Sequence, residues 1–173
     1  MMDLSKEIAL LALDVDGILT DGRIMLDSEG REIKAFFAQD GMGIKAALRA
    51  GLVVALVTSR NSKAVQIRAR ELGIEEVYLG VSNKIEVIYN LSEKYSISLE
   101  KICYMGDDLI DLQPIVEAGW GVTVPQAPDE VRSRADYITQ RSSGNGAVRE
   151  VIEKILKYNK SWDGLIKGYL GEA

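Results

Sequence analysis

Histidine is absent from this 173-residue sequence, and the absence excludes more chemistry than any residue present. Ser-His-Asp and Cys-His nucleophilic systems, histidine acid–base catalysis and histidine-ligated zinc all need a side chain the chain lacks. Cysteine is nearly absent too. The single Cys103 cannot form an internal disulfide, which points to a reducing, cytoplasmic setting. Its place in the apolar run Ile102-Cys103-Tyr104-Met105 marks it as a buried structural thiol. No apolar stretch approaches the ~20 residues that span a membrane. The opening MMDLSKEIALLALDVDG lacks a signal peptide's small-residue cleavage pattern. There is no long basic run, and a net charge of −5 argues against a nucleic-acid platform. A local cationic pocket for an anionic substrate stays open on an acidic protein. The groups left for chemistry are carboxylates, lysine, arginine, hydroxyls and backbone, a donor set that suits magnesium better than zinc.

At 47% hydrophobic residues, the chain has the material for a sizeable core. Neither an internal repeat nor a low-complexity linker divides it. Short apolar segments at Leu10–Leu13, Leu52–Val57, Val77–Val81, Ile102–Met105, Gly121–Val124 and Tyr137–Thr139 read as strands. Helical segments such as Lys63–Leu72, Lys84–Lys94 and Asp111–Ala118 lie between them. This alternation predicts an α/β fold, a Rossmann-like three-layer parallel sheet without a separate cap domain, with ligands gathered at the strands' carboxyl ends. Gly51, Gly73 and Gly119 fit helix-end positions. Residues Gly22–Phe37 break the pattern. They read as a protruding β-hairpin joined by Asp27-Ser28-Glu29-Gly30, too small to be stable alone and expected to pack on another subunit. The organisation expected is one domain over residues 1–158 and a tail over 159–173. In that tail Trp162, Leu165, Ile166, Tyr169 and Leu170 fall near helical spacing, as a docked helix or a frayed terminus.

Four clusters at predicted strand ends carry the chemistry. Asp14-Val15-Asp16-Gly17 ends the apolar run Ile8–Leu13. Alternate residues of an extended segment point the same way, so Asp14 and Asp16 crowd two like charges that a cation or shared proton must compensate. A strand-capping acidic turn is the plainer alternative. Thr58-Ser59-Arg60-Asn61-Ser62 opens a helix with a hydroxyl and free amides, a phosphate cradle or simply an N-cap supplied by Asn61 or Ser62. Arg60 and Arg68, eight residues apart, are expected on one face of that helix. Lys84 sits in a first helical turn, against the helix dipole. Gly106-Asp107-Asp108-Leu109-Ile110-Asp111 gathers three carboxylates, of which an N-cap explains one. Together they describe a phosphoryl-transfer site, with metal-holding carboxylates beside a hydroxyl and a lysine.

These motifs, in this order, resemble the haloacid-dehalogenase superfamily of aspartate-nucleophile phosphatases. DVDGILTDG, the ribbon after it, QDGMGIK at Gln39–Lys45, GVSNK at Gly80–Lys84 and GNGAVREV at Gly144–Val151 resemble its capless 3-deoxy-D-manno-octulosonate 8-phosphate (KDO 8-phosphate) phosphatases, from about residue 8 to residue 156. The resemblance implies a magnesium-dependent sugar-phosphate phosphatase that is a homotetramer, its site closed by the ribbon and C-terminal segment of neighbouring subunits. It implies Asp14 as nucleophile and metal ligand. Asp16 becomes acid and base, with its backbone carbonyl on the metal, and Asp107 a further ligand. Asp108 and Asp111 support the acidic cluster, and Thr58 and Lys84 hold the phosphoryl group. Asp16, Asp40, Gly41, Lys45, Arg60, Arg68 and Lys84 correspond to the substrate-contacting set. Ser59 replaces a common glycine, and Gln39, Asn145 and Lys45 replace arginines, which bears on the sugar rather than the chemistry.

Other readings fit less of the chain. A nine-carbon keto-acid sugar phosphate, or several sugar phosphates, is the nearest alternative substrate. A receiver-like signalling domain would not place its second acidic cluster after Lys84, and a silent phosphate-binding module leaves every occupied catalytic position without a use. Gly41-Met42-Gly43-Ile44-Lys45-Ala46 fits a dinucleotide fingerprint, but follows a predicted ribbon and leaves both acidic clusters unexplained.

Overall fold

The computed structural model describes residues 7–172. Eight strands and seven helices follow one another as β1 (Leu10–Leu13), β2 (Met25–Leu26), β3 (Glu32–Ile33), α1 (Ala38–Arg49), β4 (Val53–Val57), α2 (Lys63–Leu72), β5 (Glu76–Tyr78), α3 (Lys84–Tyr95), β6 (Ile102–Met105), α4 (Leu112–Glu117), β7 (Trp120–Thr123), α5 (Asp129–Arg132), β8 (Tyr137–Ile138), α6 (Ala147–Tyr158) and α7 (Trp162–Leu170). Six strands form one sheet in the order β5-β4-β1-β6-β7-β8, and every pairing in it is parallel. The strands β1 and β6 are buried along their whole length, as strands with helices over both faces must be. Helices α1, α2 and α6 pack together in one layer and α3 packs on α4 in another. This is the Rossmann-like architecture the alternation predicts, and among the described residues no separate cap interrupts it.

The central strand positions the site. Chain order leaves β1 on one side for β4 and on the other for β6, so the topological switch point lies at the carboxyl end of β1. The ladder runs on past Leu13, where Asp14 N–H donates to the Met105 carbonyl at 2.9 Å.

Two expectations need correction, and a third holds with a different physical reason. The strand predicted at Val77–Val81 is Glu76–Tyr78. The residues after it fold back over the end of β4, with Val81 N–H donating to the Thr58 carbonyl and Gly80 N–H to that of Arg60. Gly51, Gly73 and Gly119 all follow helix ends as expected, but only Gly51 and Gly73 are left-handed (φ 85° and 82°). At Gly119 a side chain is excluded by close approach, since a Cβ would lie 2.1 Å from the Glu100 carbonyl oxygen. Finally, α2 begins only at Lys63, with Ser62 accepting from Val65 N–H, so Arg60 precedes the helix and shares no face of it with Arg68.

The hairpin is present as the antiparallel pair β2–β3, each strand two residues long. Its turn closes through Gly30 N–H on the Asp27 carbonyl. In the tail, Trp162 and Leu165 pack on the core while Tyr169 and Leu170 stay exposed, so α7 is docked at its first half. Arg149 and Lys157 both stand over the Trp162 ring.

Candidate active site

The acidic centre is assembled at the adjoining ends of β1 and β6. Gly17 turns the chain back after Asp16 with φ 89°, and a Cβ there would fall 2.0 Å from an Asp107 carboxylate oxygen. Glycine is what lets the first acidic loop lie against the second. Asp107 and Asp108 follow Gly106, whose own Cβ would strike Asp111. Asp108 caps the short turn Leu109–Asp111 in a reciprocal capping box with Asp111.

Asp111 is the hub. One of its oxygens accepts from Lys84 Nζ at 2.7 Å and from the Tyr104 hydroxyl at 2.5 Å. The other accepts from the Asp107 and Asp108 amides, both at 3.1 Å. Lys84, its side chain 1% exposed, also reaches Asp14 at 2.8 Å. A cation at the first turn of α3 is locally unfavourable, and these two carboxylates are the reason for it. Tyr104 is a site residue that its apolar setting in β6 conceals in the sequence.

The electrostatics follow from burial. Desolvation, then the Asp111 charge, pushes the Asp14 carboxyl up to about 6, with Lys84 pulling the other way. Desolvation, then the charges of Asp14, Asp111 and Asp108, lifts Asp107 to about 8. For Lys84, burial opposes the charge, but Asp111 and Asp14 outweigh it and raise its pKa above the ordinary lysine value. Cys103, by contrast, is driven well up by burial and is inert, as its surroundings in the sequence suggest.

Oxygens of Asp14, Asp107 and Asp111 come within 4.8 Å of one another. Because Asp111 already accepts four hydrogen bonds, Asp14 and Asp107 have the lone pairs to spare. Asp107 Oδ1 is buried and has no hydrogen bond among the described residues. An orphaned carboxylate oxygen beside a second carboxylate, both hard to ionise, is satisfied by a hard divalent cation. The donor set therefore fits one.

Thr58 is buried at the end of β4, its hydroxyl oxygen accepting from Arg60 N–H at 3.2 Å. Arg60 itself points toward the ribbon, 3.1 Å from Glu32 and 3.8 Å from Asp16 Oδ2. Asp16 Oδ1 pairs with Lys34. Sequence reasoning overlooked both Glu32 and Lys34. Both stand among other charges in the ribbon, at Arg23, Asp27, Glu29 and Arg31, and nothing in the local pattern sets them apart.

Among the described residues, the rest of the sequence-predicted set makes no hydrogen bond or ion pair with this centre. The Asp40 carboxylate is buried and accepts from the Gly146 and Arg149 amides, at 3.2 and 2.7 Å, closing the N-terminus of α6. Burial raises its pKa against those two hydrogen bonds. Gly41 gives passage to Arg68, which pairs with Glu71 at 2.9 Å and lies over the Phe36 ring. Lys45 is exposed on α1. Gln39 accepts from Arg141 at 3.2 Å. A cavity of about 430 Å³ between α1, α6 and α7 is floored by Met42, Trp162, Leu165 and Ile166, and no residue of the acidic centre lines it.

Residues 76–152 match the haloacid dehalogenase-like hydrolase family. The whole chain is 42% identical to the 3-deoxy-D-manno-octulosonate 8-phosphate phosphatase KdsC of Escherichia coli BL21-DE3, over 88% of that protein. Among solved structures, that of the Moraxella catarrhalis 3-deoxy-D-manno-octulosonate 8-phosphate phosphatase, in complex with magnesium, phosphate and KDO, is 45% identical. It superposes with a TM-score of 0.92 over 96% of this chain and 95% of that one. The cobalt-bound deoxy-D-mannose-octulosonate 8-phosphate phosphatase of Haemophilus influenzae is 34% identical, with a TM-score of 0.87 over 92% and 94% of the two chains. The strand-end motifs, the capless sheet and these full-length likenesses agree, and the chain belongs to the 3-deoxy-D-manno-octulosonate 8-phosphate phosphatase family of haloacid dehalogenase-like hydrolases.

Proposed function

We propose that this protein hydrolyses KDO 8-phosphate to KDO and inorganic phosphate through an aspartyl phosphate on Asp14. The observation that carries the reading is the trio of buried Asp14, half-buried Asp107 and buried Lys84, two carboxylates that are hard to ionise and one fixed cation at the switch point of the sheet. Magnesium, held by Asp14, the Asp16 backbone carbonyl and Asp107, would neutralise the charge these carboxylates share with an incoming phosphate.

Asp14 attacks phosphorus, and the bond from phosphorus to the sugar oxygen breaks. Asp16 gives its proton to that oxygen, so the sugar leaves as an alcohol. Asp16, now a carboxylate, takes a proton from the water that attacks the aspartyl phosphate, and phosphate departs with Asp14 restored. Thr58 and Lys84 hold the phosphoryl oxygens, with Asp108 and Asp111 fixing the acidic loop and the lysine. Asp16, Asp40, Gly41, Lys45, Arg60, Arg68 and Lys84 are the proposed substrate-contacting set. Asp40, Gly41, Lys45 and Arg68, which make no direct bond to the acidic centre within one chain, would then serve by shaping α1 and α6 or by facing a neighbouring subunit. A homotetramer is consistent with the ribbon's outer face, where Met25 and Leu26 are 41% and 60% exposed. A cytoplasmic setting accords with the lone buried thiol, and among the described residues no helix is long and apolar enough to cross a membrane.

The test is phosphate release, with magnesium and with chelator, across KDO 8-phosphate, nine-carbon keto-acid sugar phosphates and hexose phosphates. Strong magnesium-dependent preference for KDO 8-phosphate is the expected result. Preference for a nine-carbon acid would keep the chemistry and assign the sugar to Gln39, Lys45 and Asn145, where the family favours arginine. No hydrolysis of any of them sinks the reading.

A further inference from the structure

The ribbon is built inside out. Ile33 is 52% exposed, yet Lys34 beside it has a side chain only 1% exposed. A lysine buried to that extent keeps its charge only among counter-charges. Glu32, at 3.2 Å, supplies that counter-charge, and the Asp16 carboxyl accepts a further hydrogen bond from Lys34 through Oδ1.

Glu32 is not a loose partner. It also accepts from the Ser62 hydroxyl and, at 3.1 Å, from Arg60. Burial would raise its pKa, but these donors and Lys34 outweigh burial and hold it below the ordinary glutamate value. Ser62 caps α2, and Arg60 stands in the loop after β4. Through them Glu32 is tied to the sheet, and Lys34 is strung between a fixed anchor and Asp16. The consequence for Asp16 is asymmetric. Its Oδ1 is engaged, while Oδ2 is buried without a hydrogen bond, Arg60 Nε standing 3.8 Å away.

We propose that Lys34 is a positioning residue for Asp16, holding one carboxyl oxygen and so fixing the rotation of the group that serves the leaving oxygen and then the attacking water, with Glu32 as its anchor. The inference rests on the acid–base role given to Asp16 above. Lys34 touches neither phosphate nor the departing bond; it acts by restricting which way the Asp16 carboxylate turns. Its loss therefore weakens proton delivery to a poor leaving group and spares a leaving group that needs no proton.

The test compares kcat/KM, which reports the steps up to departure of the leaving group, for KDO 8-phosphate and for p-nitrophenyl phosphate in the magnesium-loaded enzyme. In Lys34→Met the value for KDO 8-phosphate is expected to fall about tenfold to a hundredfold, and that for the aryl ester by less than about threefold. Lys34→Arg should recover part of the loss, and Glu32→Gln should show the same substrate selectivity at smaller size. Equal losses on both substrates, or none, overturn the proposal. If Lys34→Met does not fold, Glu32→Gln decides alone: selective loss supports the anchor, and equal loss or none refutes it. If the wild type does not turn over the aryl ester, Lys34→Met is combined with Asp16→Asn on KDO 8-phosphate. A double variant no slower than Asp16→Asn supports the proposal, and additive losses refute it. Asp16→Asn measured alone separates this from the larger reading. An Asp16→Asn enzyme as active as wild type on KDO 8-phosphate would remove the role of Asp16 itself, whereas failure confined to the Lys34 and Glu32 variants would leave it standing.

Discussion

The acidic centre and the ribbon both violate the rule that charge faces water and hydrophobes face the core, and they do so in opposite ways. At the centre, Asp14, Asp107 and Asp111 are drawn inward around Lys84, each fixed by the end of a strand, a helix or a capped turn. In the ribbon, whose strands are two residues each, Lys34 turns inward while Ile24, Met25, Leu26 and Ile33 stay outside. The centre is over-determined by backbone that the core holds rigid. The ribbon is held mainly at one end, by the network of Glu32, Arg60, Ser62 and Asp16. Damage to the first should reach chemistry, and folding as well where the central cation is lost, whereas damage to the exposed face of the second should leave folding nearly untouched.

The largest effect expected is on turnover. Asp14→Asn should reduce phosphate release roughly 10³-fold or more, since it removes the nucleophile rather than one helper among several. The fold should survive, because the ionised Asp14 carboxylate is disfavoured by its surroundings, as its rise to about 6 records. A thermal melt of the metal-free variant should match or exceed wild type, and substantial residual turnover would refute the assignment.

Lys84→Met should strike both properties. It leaves Asp14 and Asp111 facing each other without the cation that separates them. Breaking a buried pair by removing one partner costs about 3–5 kcal/mol, on the order of 10 °C in the melting temperature of a chain this size. A melting temperature within a degree or so of wild type would mean that Lys84 serves catalysis alone.

A smaller effect is a slope with pH. Asp14 and Asp107 bind protons in the folded state up to about 6 and about 8, against an ordinary 3.8. Between those limits the folded chain carries more protons than the unfolded one, so the stability of the metal-free protein falls as pH rises. A cation that binds the ionised pair reverses the penalty, and magnesium should raise the melting temperature more at about pH 8 than at about pH 5. Equal magnesium shifts at both pH values would show that these carboxylates are not the ligands.

How far the sequence reveals these regions depends on what each residue's position encodes. The sheet and the centre were legible because period and motif coincide there: an apolar strand, then a carboxylate pair or a helix-opening Thr58 or Lys84, repeated at one edge. Local pattern could not reveal Tyr104, whose hydroxyl meets Asp111 from within an apolar run. The same holds for Asp40, which pairs with amides 106 and 109 residues away. Arg60 and Arg68 were read as one helical face because their spacing suits a helix, while the cap at Ser62 places the helix start between them. Lys34 eluded the sequence reading because a lysine in a hairpin is by default a solvated one, and only the fold brings Asp16 beneath it.

The ribbon's outer face gives the finest test of the contrast. Leu26 and Ile33 are 60% and 52% exposed, so within one chain their side chains contribute little, and Leu26→Ser and Ile33→Ser should each change the stability of the isolated chain by no more than about 0.5 kcal/mol. In an assembly that covers this face the same two substitutions place hydroxyls where apolar side chains meet, and the assembled mass should fall toward that of a single chain as protein is diluted. Light scattering over a dilution series, read beside thermal melts, separates the two effects. Unchanged mass with unchanged melting would mean that the outer face of the ribbon is not the contact between subunits, and that its role ends with the inward grip of Lys34 and Glu32.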